Sequence, residues 1–209
     1  MTRWEKVGTE GLCVVERYDR VRSDDRITRL HQEDLCQALG IASTSKYEQE
    51  GGPSFSGCVD VVRDHSFEPL TDTQALLRWL AFNVIAGNAD GHAKNLSLLY
   101  DDGWRLAPFY DLVCTRSYDR IERRLAMSIG NESDPNRLRK LHFENCAREV
   151  GVRPAWLLDN VRTMADTIMT ELPAAVATCG VARSPAVERI TPLIRKQAQR
   201  LLRELAASR

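Results

Sequence analysis

The sequence contains no apolar stretch that approaches the about 18 to 20 residues needed to cross a bilayer. Its first residues, MTRWEKVGTEG, offer no apolar run of the kind a signal peptide requires. Six cysteines occur without a CxxC pair, which argues against a zinc site or a disulfide framework and favours reduced thiols packed in a core. These absences predict a soluble, cytoplasmic protein with no membrane partner.

Charge of one sign is also lacking, because 29 Lys and Arg residues balance 29 Asp and Glu residues. The chain therefore has no overall electrostatic preference for nucleic acid or an anionic membrane. A length of 209 residues fits one or two domains and can bury a real core. The sequence shows no internal repeat and no low-complexity tract.

The most informative motif is GNADGHAKN at residues 87–95, which is followed by the run APFYDL. Asp90 and Asn95 have the spacing at which a phosphotransferase places a base and a magnesium-binding amide on one short loop. Asp111, in the second run, would supply a carboxylate as the second ligand, since Mg²⁺ prefers oxygen ligands and keeps several waters. His92 adds a donor. The residues thus predict a phosphoryl-transfer site.

Apolar periodicity predicts the elements around this motif. A buried strand is expected at 11–16, a short helix at 31–39 that ends before Gly40, and a long surface loop at 43–57. A helix from Thr71, capped by Asp72, should end at Gly87 and place the motif on its exit loop. The remaining expectations are strands at 96–100 and 104–107 around a turn, a further strand at 125–129, and helices at 137–150, 156–172 and 187–207, with Gly151 and Gly180 as stops.

Several motifs together resemble the HipA family of bacterial toxin serine/threonine kinases. They are GNADGHAKNLSLLY, LAPFYDL, VVERYDR, and RLHQEDLCQALG followed by KYEQEGGPS. The resemblance runs from about Val14 to Ile129 and covers only the C-terminal part of such a kinase. It implies an ATP- and Mg²⁺-dependent kinase of a type II toxin–antitoxin module involved in persistence. Its expected partners are a protein substrate such as an aminoacyl-tRNA synthetase and a HipB-like DNA-binding antitoxin, through which alone it would reach DNA.

Carried over by matching motif, the resemblance makes Asp90 the catalytic base and Asn95 and Asp111 the metal ligands. VVERYDR would be the hinge, where main-chain groups of Glu16 and Tyr18 pair with adenine. The full set of nucleotide-binding residues implied in this way is Glu16, Arg17, Tyr18, His92, Ala93, Lys94, Asn95, Tyr110 and Asp111.

The expected fold class is α+β and predominantly helical, the C-terminal lobe of a HipA-like kinase with a small β-hairpin carrying the metal site. One lobe would span 1–209, with a residual hinge strand at 1–20, a catalytic core at 21–130 and a helical subdomain at 131–209. The glycine-rich phosphate-binding loop and strand lysine of such kinases have no counterpart, since Lys6 and Gly8 form no phosphate loop. The alternative function is therefore a truncated, inactive remnant or a non-catalytic subunit that binds an antitoxin or another partner.

Other readings of single motifs stay open. A D-x-x-x-x-N pattern alone is typical of a solvated loop, and Asp111 could cap a helix or turn. His31, His65 and His142 suit packed or capping positions better than metal binding. A basic run near the C-terminus could contact operator DNA beside an antitoxin, although it also suits a solvated amphipathic face: Arg189, Arg195, Lys196, Arg200 and Arg203.

Overall fold

The computed structural model of the protein describes residues 2–8, 10–178 and 184–206. Antiparallel pairing joins its strands into two hairpins and one three-stranded sheet, so the fold mixes helix and strand, as predicted. The strands are β1 (Thr2–Val7), β2 (Glu10–Val15), β3 (Arg20–Ser23), β4 (Arg26–Arg29), β5 (His31–Asp34), β6 (Ser97–Tyr100) and β7 (Trp104–Leu106). The helices are α1 (Leu35–Ala38), α2 (Phe55–His65), α3 (Pro69–Ala86), α4 (Lys140–Glu149), α5 (Pro154–Thr178) and α6 (Pro185–Ala206).

The strand predicted at 11–16 forms, but it is exposed rather than buried. It is β2 of the hairpin β1–β2, on which Trp4 and Leu12 are 42% and 45% exposed. Leu12 pairs with Glu5 across the hairpin, and charged residues share both faces with apolar ones. Because neither face is uniformly apolar, an apolar run alone did not determine burial here.

The helix predicted at 31–39 is wrong in its first half, where β5 pairs antiparallel with β6. Asp34 then begins a helix with a capping box, accepting from the Gln37 N–H while the Gln37 side chain accepts from the Asp34 N–H. The cap fixes where helix can start, so only Leu35–Ala38 is helical. Gly40 follows in the left-handed region, at φ 66°.

The predicted surface loop at 43–57 ends too late, because α2 begins at Phe55. Ser54 caps this helix by accepting from the Gly57 N–H, and Phe55 and Cys58 enter the core. Serine and glycine in the first turn resemble loop composition, which hid the helix start. The preceding part of the segment holds a short 3-10 turn at Glu48–Glu50.

Helix α3 ends at Gly87, as predicted, with that glycine at φ 74°. Asp72, predicted to cap the helix, lies instead inside it and is buried. Its carboxylate accepts hydrogen bonds from Ser66, from the Arg105 guanidinium and from the Leu106 N–H. Asp72 therefore ties α3 to β7; burial raises the pKa of Asp72, but these donors outweigh burial and lower it overall.

The C-terminal half is helical, as expected, with different limits. Residues 125–129 do not form the predicted strand and contribute only an isolated bridge between Ile129 and Glu132. Helix α5 extends past Pro173, and the predicted stop at Gly180 lies outside the described residues. Arg200 of the basic run is half-buried and donates to the carbonyls of Leu138 and Pro135, so this residue fastens α6 to the preceding loop.

One hydrophobic cluster joins the sheet side to the helical half. Its fully buried members include Phe55 of α2, Leu76 of α3, Phe143 of α4, Leu157 of α5 and Leu201 of α6. Over the described ranges, no helix combines the length and apolar character that crossing a membrane requires.

Candidate active site

The motif at 87–95 forms a loop between α3 and β6, anchored at its start by Gly87. This residue adopts φ 74°, and a Cβ there would lie 3.0 Å from the Arg116 Cβ. The Gly87 carbonyl accepts from the Arg116 N–H and from the Thr115 hydroxyl, which in turn accepts from the Ala89 N–H at 2.7 Å. The segment that follows Asp111 therefore fixes the start of the motif loop.

Two buried amides continue this anchoring. Asn83 donates to the Trp79 carbonyl and accepts from the Asn88 Nδ2 at 2.7 Å. Asn88 Nδ2 also lies 3.3 Å from the Asp111 carbonyl, and its Oδ1 accepts from the Asp90 N–H. The network thereby fixes Asp90 and Asp111 relative to each other. Sequence reasoning assigned neither amide a role, although Asn88 lies within the motif.

Asn95 and Asp111, the predicted metal ligands, are in direct contact. The Asn95 Nδ2 donates to the Asp111 Oδ2 at 2.6 Å, and the Asn95 Oδ1 accepts from the His92 N–H at 3.2 Å. Asn95 is buried at the end of the 3-10 turn Ala93–Asn95, whereas Asp111 is exposed. Asp111 adopts φ 56°, a strained conformation for a non-glycine residue that surrounding structure must maintain.

Asp90, the predicted base, accepts two side-chain hydrogen bonds and faces a buried imidazole. Its Oδ1 accepts from the Tyr47 hydroxyl at 2.6 Å and the Lys46 Nζ at 3.2 Å, and lies 3.5 Å from the His92 Nε2. Burial raises the pKa of Asp90, but Tyr47, His92 and Lys46 together lower it below its ordinary value. Asp90 is therefore a carboxylate at neutral pH.

His92 is buried next to the Asp90 carboxylate. Burial lowers the pKa of His92 more than neighbouring Asp90 raises it, so the imidazole is predominantly neutral at neutral pH. Its ring meets Tyr47 edge-on, with the centroids 5.8 Å apart. The Nδ1 atom is buried without a hydrogen-bond partner, which leaves one polar atom of the site unsatisfied.

Tyr110 connects the predicted hinge to the motif loop. Its hydroxyl donates to the Lys94 carbonyl at 2.5 Å and lies 3.1 Å from the Ser97 Oγ. Its ring stacks with Tyr18, with centroids 6.3 Å apart. Burial raises the pKa of Tyr18 to about 12, so both phenols remain neutral at physiological pH.

Three other residues were predicted to bind the nucleotide, and their positions support that role less directly. Glu16 lies in the exposed link between β2 and β3. The contacts of Arg17 go to Asp19, whose buried carboxylate accepts two hydrogen bonds from this guanidinium. Ala93 is fully buried, main chain included.

The residue types at Asn95 and Asp111 fit Mg²⁺. Asp111 keeps an exposed carboxylate for the cation, and the Asn95 amide lies next to it, with its Nδ2 on the Asp111 Oδ2 and its Oδ1 accepting from the His92 N–H. In the part of the chain that the structure describes, no three acidic, histidine or cysteine side chains cluster as a complete metal cage. Two oxygen ligands plus waters and phosphate are the usual protein arrangement for Mg²⁺, so the donor set suits the ion.

A cleft of about 640 Å³ opens beside Asp90. The segment at 46–50, which the sequence predicted only as a loop, and the segment at 121–126 form its walls. Its lining combines apolar side chains with charged ones: Tyr47, Gln49, Glu50, Ala89, Asp90, Thr115, Ile121, Glu122, Arg124, Leu125 and Ala126. A carboxylate base at the edge of an open cleft is accessible to a hydroxyl of a macromolecular acceptor.

Comparison with known proteins identifies the family. The family described as HipA-like C-terminal domain matches residues 1–176, so the chain belongs to this family. It is 34% identical to the serine/threonine-protein kinase toxin HipA of Shewanella oneidensis over 182 residues, 80% of this chain and 41% of that protein. It is 45% identical to Y4mE of Sinorhizobium fredii, a protein named provisionally as a kinase, over 141 residues, 66% of this chain and 34% of that protein.

A solved structure shows the same fold. The chain matches a chain of the Shewanella oneidensis toxin–antitoxin complex of HipA, HipB and operator DNA with a TM-score of 0.82 and 28% identity. The match covers 99% of this chain and 51% of that one. The resemblance predicted from the motifs is thus confirmed, and the chain spans about half or less of the length of these relatives.

Proposed function

We propose that this chain forms the catalytic lobe of a serine/threonine protein kinase of a toxin–antitoxin module, dependent on ATP and Mg²⁺. The observation that carries the proposal is the pairing of Asn95 with Asp111 at 2.6 Å beside a loop whose Asp90 is an ionised, partly exposed carboxylate. Relatives named as kinases across the same segment support it.

In this proposal Asp90 is the general base. It accepts the proton of a serine or threonine hydroxyl as that oxygen bonds to the terminal phosphorus of ATP and the bond to the leaving ADP oxygen breaks. Asn95 and Asp111 hold Mg²⁺, which, when bound, neutralises phosphate charge. The Asn83–Asn88 network holds the base and the metal ligand in fixed relative positions, because Asn88 bonds to the main chain of both Asp90 and Asp111.

The proposed adenine contacts lie around Tyr18 and Tyr110. Their stacked rings form the link between the hinge at 16–18 and the catalytic loop, since Tyr110 is bonded to the Lys94 carbonyl. His92 offers a neutral imidazole to the phosphates. We further propose that a HipB-like antitoxin binds this chain, because the matching HipA chain was solved together with HipB and operator DNA.

The test is transfer of the terminal phosphate of radiolabelled Mg²⁺-ATP to a mixture of bacterial proteins. The chain is assayed alone and with the remaining portion of Shewanella oneidensis HipA supplied as a separate polypeptide. Asp90→Asn should lower the rate by about 10²–10⁴-fold, because it removes the base. Asp64→Asn, which alters an exposed acid on α2, is the matched control and should leave the rate unchanged.

Binding is tested separately by the melting temperature. Mg²⁺-ATP should raise it through preferential binding to the folded chain, and Asp111→Ala should abolish the rise. If there is neither transfer nor a nucleotide-dependent rise, while a small helix-turn-helix protein still co-purifies, the chain is instead a non-catalytic binding subunit.

A further inference from the structure

The residues that contact Asp90 from outside the catalytic loop belong to one ordered segment, 46–52, here called the arm. It carries the 3-10 turn Glu48–Glu50, closed by hydrogen bonds from the Gly51 and Gly52 N–H groups. The Glu48 N–H donates to the Ala126 carbonyl, and the Glu48 carboxylate accepts from the Ser128 N–H. The arm is therefore fixed to the opposite wall of the cleft.

Gly52 permits the tight path of the arm. A Cβ at this position would lie 2.7 Å from the Ser45 carbonyl oxygen and 2.8 Å from the Tyr47 carbonyl oxygen, closer than side chains approach backbone. The turn thereby presents Lys46 and Tyr47, which are adjacent in sequence, to the same carboxylate more than forty positions away. The arm therefore positions the Lys46 and Tyr47 side chains at Asp90, in addition to connecting two helices.

The two donors and the imidazole around Asp90 converge on one oxygen. Tyr47, Lys46 and His92 all face Oδ1, and among the described residues no side chain or backbone group donates to Oδ2. Tyr47 is the shortest of these contacts and suffices to orient the carboxylate. The Lys46 ammonium lies 4.8 Å from the Tyr47 ring centroid and remains about one-third exposed, so it can exchange partners.

We propose that Lys46 is a phosphate-binding residue of this site, which turns from Asp90 to the terminal phosphoryl group of ATP when the nucleotide is bound. This inference rests on the proposed function. It identifies a cation supplied by the arm, outside the catalytic-loop motif and the hinge.

The geometry of phosphoryl transfer gives the reason. The acceptor oxygen lies between the base and the transferred phosphorus, so a cation 3.2 Å from the base is close to the equatorial phosphoryl oxygens. Charge spreads over these oxygens in the transition state, where a positioned ammonium stabilises it. Burial lowers the pKa of Lys46, but Tyr47 and Asp90 raise it overall, so the group stays charged.

A purely structural role for Lys46 makes a different prediction. A partly exposed ion pair between Lys46 and Asp90 contributes little to stability. If the lysine served only to hold the arm, its loss would slightly lower the melting temperature and weaken all nucleotides equally. A contact with the terminal phosphate would instead distinguish ATP from ADP.

The experiment measures the affinities of the full chain for Mg²⁺-ATP and Mg²⁺-ADP by calorimetry. In Lys46→Met, ATP affinity should fall about tenfold or more, the effect of losing one charge-assisted hydrogen bond, while ADP affinity changes less than about twofold. Lys46→Arg should retain most of the preference for ATP because it keeps the charge. Lys6→Met, on the exposed hairpin, is the matched control and should alter neither affinity.

The outcomes separate the two proposals. Equal losses for ATP and ADP, or no loss for either, overturn the role of Lys46 and leave the kinase site standing. Failure of the unmodified chain to bind either nucleotide, both alone and with the remaining portion of Shewanella oneidensis HipA supplied, overturns the proposed function, and the inference with it. Circular dichroism of each variant confirms that the fold is kept.

Discussion

The motif loop at 87–95 and the N-terminal hairpin β1–β2 differ in how far neighbouring residues bury and bond them. The loop rests on a fully buried stretch of α3, and the Asn83 and Asn88 amides bond its backbone to the segment at Asp111. The hairpin displays Trp4 and Leu12 to solvent. The comparison teaches that the predicted site lies where the core is dense, while the hairpin beside the predicted hinge adds little packing of its own.

The largest expected difference comes from the same substitution in each region. Leu76→Ala in α3 should lower the free energy of unfolding by about 2–5 kcal/mol, because it opens a cavity around a fully buried side chain. Leu12→Ala, on the hairpin, should change it by less than about 0.5 kcal/mol. Urea denaturation of both variants measures this, and similar losses would contradict the comparison.

Asn88→Ala is expected to have the next largest effect. It removes the partner of the Asn83 amide oxygen and of the Asp90 N–H inside the protein, which should cost about 1–3 kcal/mol of unfolding free energy. Gln199→Ala, on the exposed face of α6, is the control and should stay within about 0.5 kcal/mol of the unmodified chain. A loss no larger than the control's would show that the network does not hold the loop.

Gly52→Ala tests the arm. The added Cβ would clash with backbone atoms of residues 45–47, so a loss of about 1–3 kcal/mol from overpacking is expected. Gly57→Ala has a nearest neighbour at 3.5 Å and lies in α2, where alanine should instead stabilise by about 0.5–1 kcal/mol. Thermal unfolding distinguishes the opposite signs, and two variants of equal stability would argue against a constrained arm.

The smallest effect concerns the predicted hinge and depends on pH. The hydrogen bonds from Arg17, and next the one from Arg20, lower the pKa of Asp19 from 3.8 to about 2. Burial acts in the opposite direction but is outweighed. Because the folded-state pKa is the lower one, this stabilisation is present above 3.8 and is lost as the pH falls towards 2. Asp19→Asn should therefore lower the melting temperature near neutral pH, with the difference shrinking in acid; a constant difference would exclude this ion pair as its cause.

Much of the fold was predictable from local patterns. Helix α3 and its stop at Gly87 followed from apolar spacing and a glycine suited to φ 74°, and the turn between β6 and β7 followed from alternation around residues 101–103. The wrong predictions concern residues that bond to segments distant in sequence. Residues 31–34 became a strand because β6 was available to pair with them, and Asp72 became a buried partner of Arg105 rather than a cap.

The sequence by itself determined the family and the identities and order of Asp90, Asn95 and Asp111, because short motifs fix spacing along the chain. Only the tertiary structure brought Lys46 and Tyr47 to Asp90, from more than forty positions away. It also decided that both donors share one carboxylate oxygen, which the His92 imidazole faces as well. Such contacts depend on how the core positions separate segments relative to each other. A local pattern of residues does not predict these positions.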